Sequence, residues 1–286
     1  MKKLIEYNFD EMSLVEGALQ LNQCIEPNTE IVWAQQELQR LVERVKERLS
    51  SEQLVLANEP SSNEIGLNEL SEEKKLSELL TLFYQEWQFK GDHHAFFDIE
   101  RTQIDKVLRL KIGIPASLGA IFLFLGRAIG LPLNAVTFPT QFLIKVDWAH
   151  KPTQFINPFN GEFVMKGTLH SWLIGHFGYT CKLENKHMNT ASHSIIIERW
   201  LNMIKGVYLR DEHYTQALLC SDLALELNPD DPYERRDRGF IYQQLECHQV
   251  AQDDYEFFID QRPDDPTTKV LKEQLNKSVI EPVTVH

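Results

Sequence analysis

The feature that most limits what this chain can fold into is a period of 34 residues. Residues 228–232 read Asn-Pro-Asp-Asp-Pro, residues 262–266 read Arg-Pro-Asp-Asp-Pro, and Pro229 and Pro263 stand that far apart. The same step carries Tyr208 onto Tyr242 and Ala217 onto Ala251. Units of two helices repeat at this spacing, each too small to bury its own apolar face, so stacking supplies the core. The close-packing glycine of the first helix falls on Gly239, in the second copy only, and Ala224 fits a later small position where the second copy has Phe258. Residues 267–276 read as a closing helix. Two repeats fall below the roughly three that such arrays need to stand alone.

The period is that of the tetratricopeptide repeat, and residues 189–286 are assigned to it. Charge follows the same division. The chain carries 42 Asp and Glu against 29 Lys and Arg, net −13, and residues 211–286 hold 17 of the acids and 7 of the bases. An acidic helical array cannot follow a phosphate backbone, which argues against nucleic acid as a partner, and the same charge argues against docking on anionic lipid. The most apolar stretch, 116–125, meets Arg127 and Pro132 and falls short of the ~20 residues of a spanning helix. After Met1-Lys2-Lys3, Glu6, Asp10 and Glu11 precede any apolar run, so neither an export signal nor a membrane partner is expected. Cys24, Cys181, Cys220 and Cys247 form no CxxC pair, which suits a reducing cytoplasm.

Ahead of the repeats the pattern predicts N-terminal helices within 1–50, at 11–23 and 29–49, the second capped by Thr29. Residues 51–70 hold Ser, Asn, Pro and Gly with few apolar anchors and read as a connector. A core over 71–188 then begins with a helix near Ser71. Thr102 and Asp105 have the spacing of a capping box for a shorter helix. Segment 116–129 is apolar on nearly every side, which marks a buried central helix. Residues 133–138 and 141–147 read as a strand pair and 154–156 as a third strand. The fold class is α+β, a buried helix with a small antiparallel sheet, followed by an all-α array.

Residues 111–161 resemble the transglutaminase-like superfamily, whose papain-like core sets a nucleophilic cysteine at the start of a buried helix. The run Arg127-Ala128-Ile129-Gly130-Leu131-Pro132 resembles the end of that helix. Joined to tetratricopeptide repeats, the chain is similar over residues 71–276 to the SirB-type bacterial family. By that resemblance the cysteine position falls at Pro115, the histidine position at Gln141 and the aspartate position at Asn157. Thiolate attack needs an imidazole oriented by a carboxylate, and Gln and Asn cannot cycle protons near neutrality. A pseudoenzyme is therefore expected, with Gln141 and Asn157 bonding each other if adjacent.

Ser117 is the alternative nucleophile, for a hydrolase or acyltransferase, and its bland reading is an early-helix hydroxyl bonding backbone. His93-His94 with Asp92 and Asp98 lack third and fourth ligands at regular spacing, so no metal and no cofactor are expected. The repeat register places Arg199, Asn202, Tyr233, Arg236 and Phe240 nearest a concave peptide-binding surface, where Arg and Asn would clamp a carboxylate or backbone and Tyr and Phe would anchor. The bland alternative is that Arg235, Arg236 and Arg238 offset the acidic turns at 230–231 and 264–265. The expected function is a non-catalytic binding, scaffold or regulatory module with a protein or peptide partner.

Overall fold

A computed structural model describes residues 4–57, 70–92 and 98–278, and the chain divides into two units, Tyr7–Trp200 and the residues from Leu201 onward together with Leu4–Glu6. The boundary falls within a helix, twelve residues beyond the one drawn from sequence, and the N-terminal helices belong to the same unit as the core.

The first unit opens with α1 (Leu14–Ile25), held by a reciprocal capping box between Ser13 and Glu16. Helix α2 (Ile31–Ala57) runs on through residues 51–57 of the expected connector; 58–69 lie outside the described residues. Thr29 is not its side-chain cap: its hydroxyl donates to the Glu26 carbonyl at 2.7 Å. Helix α3 (Glu72–Leu80) starts at Ser71, whose side chain accepts from Lys74 N, and continues as a π-helical stretch, Thr81–Glu86. Strand β1 (Lys90–Gly91) precedes α4 (Ile104–Leu110).

The box expected at Thr102 does not form. Thr102 donates to the Ile99 carbonyl at 2.7 Å, and the Ile104 N–H is taken by buried Asn22 at 3.0 Å, from a helix 82 positions away. Asp105 instead accepts from Glu30 N at 3.3 Å. Tertiary partners have displaced the local ones.

Strand β2 (Ile112–Gly113) pairs in parallel with β1, and Pro115 opens α5 (Pro115–Ala128), whose Leu118, Ile121, Phe122 and Leu125 are all buried. Proline suits a first helical position because its missing N–H would have no partner there. An antiparallel sheet follows in the order β3 (Leu133–Phe138), β4 (Gln141–Val146), β5 (Gln154–Ile156) and β6 (Phe163–Val164), the last unforeseen. Alternation along β4 sends Phe142 against α5 at Gly119 and Leu143 into a cluster with Val136, Phe138, Phe155 and the Leu169 and Leu173 of α6 (Lys166–Phe177).

The second unit takes the C-terminal part of α7 (His193–Arg210), then α8 (Tyr214–Leu227), α9 (Pro232–Gln244), α10 (His248–Gln261) and α11 (Pro266–Ser278). The period is physical. Glu212 and Glu246, 34 apart, both take left-handed backbone (φ 58° and 60°) at the turn inside each pair. His213 N and Cys247 N then reach back to the Tyr208 and Tyr242 carbonyls, both at 2.8 Å. Asp231 accepts from Tyr233 N at 2.9 Å and Asp265 from Thr267 N at 2.8 Å, so each Asp-Asp-Pro run is an N-cap followed by proline.

Candidate functional site

The transglutaminase-like positions come first. Pro115 is buried at the start of α5. Ser117 is fully buried; its Oγ accepts from Ile114 N at 3.1 Å and donates toward the carbonyls of Arg101 (2.9 Å) and Ile114 (3.1 Å). A Cβ on Gly113 would lie 2.6 Å from that oxygen. The hydroxyl thus closes the helix N-terminus, and no described histidine hydrogen-bonds to it. His93 and His94 lie outside the described residues, while Asp98 caps the Ile99–Thr102 turn through Glu100 N at 3.0 Å.

Gln141 closes the β3–β4 hairpin opposite Phe138, with its Nε2 buried and lacking a hydrogen-bond partner among the described residues. Asn157 organises the turn after β5: its Oδ1 accepts from Phe159 N at 3.0 Å and its carbonyl from Gly161 N at 2.8 Å. The bond between Gln141 and Asn157 that adjacency would have permitted is therefore not made. Aromatic rings fix this turn. The Tyr84 hydroxyl donates to the Pro158 carbonyl at 2.9 Å, and burial pushes that phenol above its ordinary range. Gly161 (φ 76°) passes over the Tyr84 ring where a Cβ would sit 2.5 Å away, and Phe159 fills the space beside Gly91.

In the second unit a groove of about 480 Å³ runs between α9 and α11. Arg236 and Phe240 line it. Tyr233 does not: its ring stands edge-on to Phe258 at 5.7 Å, and its hydroxyl reaches Asp265 at 3.3 Å. Asn202 is exposed on α7 and does not line the groove, and Arg199 belongs to the first unit, with Nη1 3.4 Å from the Thr137 carbonyl. Sequence reasoning missed Leu209, Asp237, Gln243, Leu271 and Gln274 in the lining. Part of the signal existed: the period carries the expected Phe240 onto Gln274 on α11, whereas Leu209–Gln243 and Asp237–Leu271, also 34 apart, pair positions outside the expected set.

The direct partners of the three arginines lie elsewhere than the acidic turns, whose Asp231 and Asp265 accept from backbone N–H groups, although, after the Thr267 N–H, Arg236 helps hold the Asp265 carboxyl below its ordinary range. Arg238 forks onto Asp254 at 2.7 and 2.9 Å and reaches Asp222 at 3.0 Å, while Arg235 joins Asp254 at 3.2 Å. Arg236 holds Asp237 at 2.7 Å. Beneath them the buried Lys205 bridges both oxygens of buried Glu234 (2.8 and 2.7 Å) and Asp237 Oδ2 (3.1 Å), and Ser221 donates to Glu234 at 2.6 Å. Burial pushes the Tyr255 phenol up to about 12, so it stays protonated and donates to Gln243 Oε1 at 2.9 Å.

No helix among the described residues is long and apolar enough to cross a membrane. Among them there is also no group of three His, Cys, Asp or Glu residues set to hold a metal.

The transglutaminase-like superfamily profile matches residues 33–202 and a tetratricopeptide-repeat profile matches 204–276. The chain is 46% identical over 276 residues to a UPF0162 protein of Vibrio cholerae, covering 96% of each chain. It is 33% identical to protein SirB1 of Salmonella typhimurium and 32% to the UPF0162 protein YchA of Escherichia coli K12, over the full length of each. No solved structure matches.

Proposed function

Because this chain belongs to the transglutaminase-like superfamily, in the group of SirB1 and the UPF0162 proteins, we propose that it is a non-catalytic binding module whose repeat unit holds a protein or peptide segment. The observation that carries this reading is the groove between α9 and α11, apolar at Leu209, Phe240 and Leu271 and edged by side-chain amides. The loss of proton-cycling groups supports it from the other side. Gln141 and Asn157 replace the base and its orienting carboxylate, and the Ser117 hydroxyl is spent on backbone. Tetratricopeptide arrays generally bind proteins, and the occupant here would lie along α9.

The test has two arms. Immobilised protein should retain from a cell extract a set of chains that Phe240→Asp loses; Phe240 is 45% exposed, so the variant should fold. Retention indifferent to that substitution would remove the groove from the proposal. A serine-directed fluorophosphonate should leave the protein unlabelled, and labelling at Ser117 would favour the hydrolase alternative. Restoring the triad with Pro115→Cys, Gln141→His and Asn157→Asp should give no thioester, because no hydrogen bond links positions 141 and 157 to orient an imidazole. Acyl-enzyme trapped by mass spectrometry in that variant would contradict this.

A further inference from the structure

We infer that the segment the groove takes is uncharged and apolar, with a backbone carbonyl held by Gln243. This deepens the reading of the groove as a binding surface and rests on it. The charges at the groove are closed among themselves. Arg236 donates to Asp237 Oδ1 through Nε (3.2 Å) and Nη2 (2.7 Å). Lys205 takes the other oxygen of Asp237 and both oxygens of Glu234. Two cations thus meet two carboxylates, within a region that is otherwise strongly acidic. A bidentate carboxylate clamp through Nε and Nη2 of Arg236 would have to break its fork onto Asp237, and a lysine approaching Asp237 would meet a carboxylate already paired twice. Lys205 and Glu234 are buried, so drawing Lys205 off leaves a buried charge uncompensated, and the Arg236–Asp237 fork, about a third exposed, is screened but already satisfied.

What the groove does offer is apolar area and one oriented amide. Phe240, 45% exposed, lies with Leu209 and Leu271 along the lining. Gln243 Oε1 accepts from Tyr255 and from Gln274 Nε2, both at 2.9 Å. Its oxygen is therefore fully used, which fixes the amide and leaves Nε2 as a donor at the groove wall. A donor beside apolar area fits a main-chain carbonyl next to an aliphatic side chain.

The probes are N-acetyl-leucine methylamide, anionic N-acetyl-leucine and cationic leucine methylamide. Each is titrated into the full chain at millimolar concentration and followed by NMR at the Phe240 ring and the Gln243 and Gln274 side-chain amides. The neutral probe should shift these signals saturably, independent of salt, with the charged probes about tenfold weaker, the equivalent of one broken charge contact. Gln243→Glu keeps the acceptor and removes the outward donor, and should weaken the neutral probe by about tenfold; unchanged affinity overturns the carbonyl contact. Tightest binding by either charged probe, weakening with salt, overturns the inference while leaving the groove as a binding surface. Shifts at none of these residues with any probe overturn both.

Discussion

Lys205 stands 34 residues before Gly239, and Ser221 stands 34 before Tyr255. In the second repeat the glycine makes room for the ring: a Cβ there would lie 2.8 Å from Tyr255. In the first repeat the same space is filled by a polar chain in which Lys205, at 5% exposure, neutralises Glu234, also at 5%, while Ser221 satisfies a further lone pair. Removing one partner of such a pair strands the other. Lys205→Met should therefore destabilise the fold by about 3 kcal/mol, and adding Glu234→Gln should recover part of the loss. Urea denaturation of both single variants and the double checks this; a double-variant loss equal to the sum of the two single losses would show that the pair is not coupled. A lysine at a glycine position reads from sequence as a break in the repeat. Its meaning depends on Glu234, 29 residues on, and no local pattern announces that partner.

The two Asp-Asp-Pro runs do identical work at the start of α9 and α11, satisfying N–H groups that a helix leaves open in its first turn. Asp231→Ala should cost about 1 kcal/mol by thermal or urea melting, and no change would mean another acceptor replaces it. These caps were legible because they are local. The caps of α2 and α4 were not, since Asp105 and Asn22 arrive from other helices and displace Thr29 and Thr102. Helix α5 depends on close approach to β4 at Gly119, where a Cβ would fall 2.3 Å from the Phe142 ring. Gly119→Ala should destabilise by about 1–3 kcal/mol despite alanine's better helix propensity, and a stabilised variant would show that Phe142 gives way.

At the scale of the molecule, acid should loosen the structure through named carboxylates. Glu78 is held below its ordinary range by Lys74 and then Arg48, and Asp10 by the Ser194 hydroxyl and amide. A carboxylate depressed in the folded state stabilises it above its unfolded pKa, about 4, and that contribution is lost as pH falls through the folded value. The denaturation midpoint should therefore hold above pH ~5 and decline below pH ~4; a flat profile through that range would rule these pairs out as contributors. Legible from the residues alone were the 34-residue array, the buried helix, the central strands and the absence of titratable groups at positions 115, 141 and 157. All of these are properties of composition, period and spacing along one stretch of chain. Packing alone settles that the Ser117 hydroxyl is consumed by Arg101 and Ile114, that Asn157 organises a turn while the Gln141 Nε2 has no partner among the described residues, and that Arg236 is already spoken for by Asp237. Which partner a polar side chain takes is settled by what packing brings within about 3 Å, and packing joins residues whose separation in sequence carries no signal.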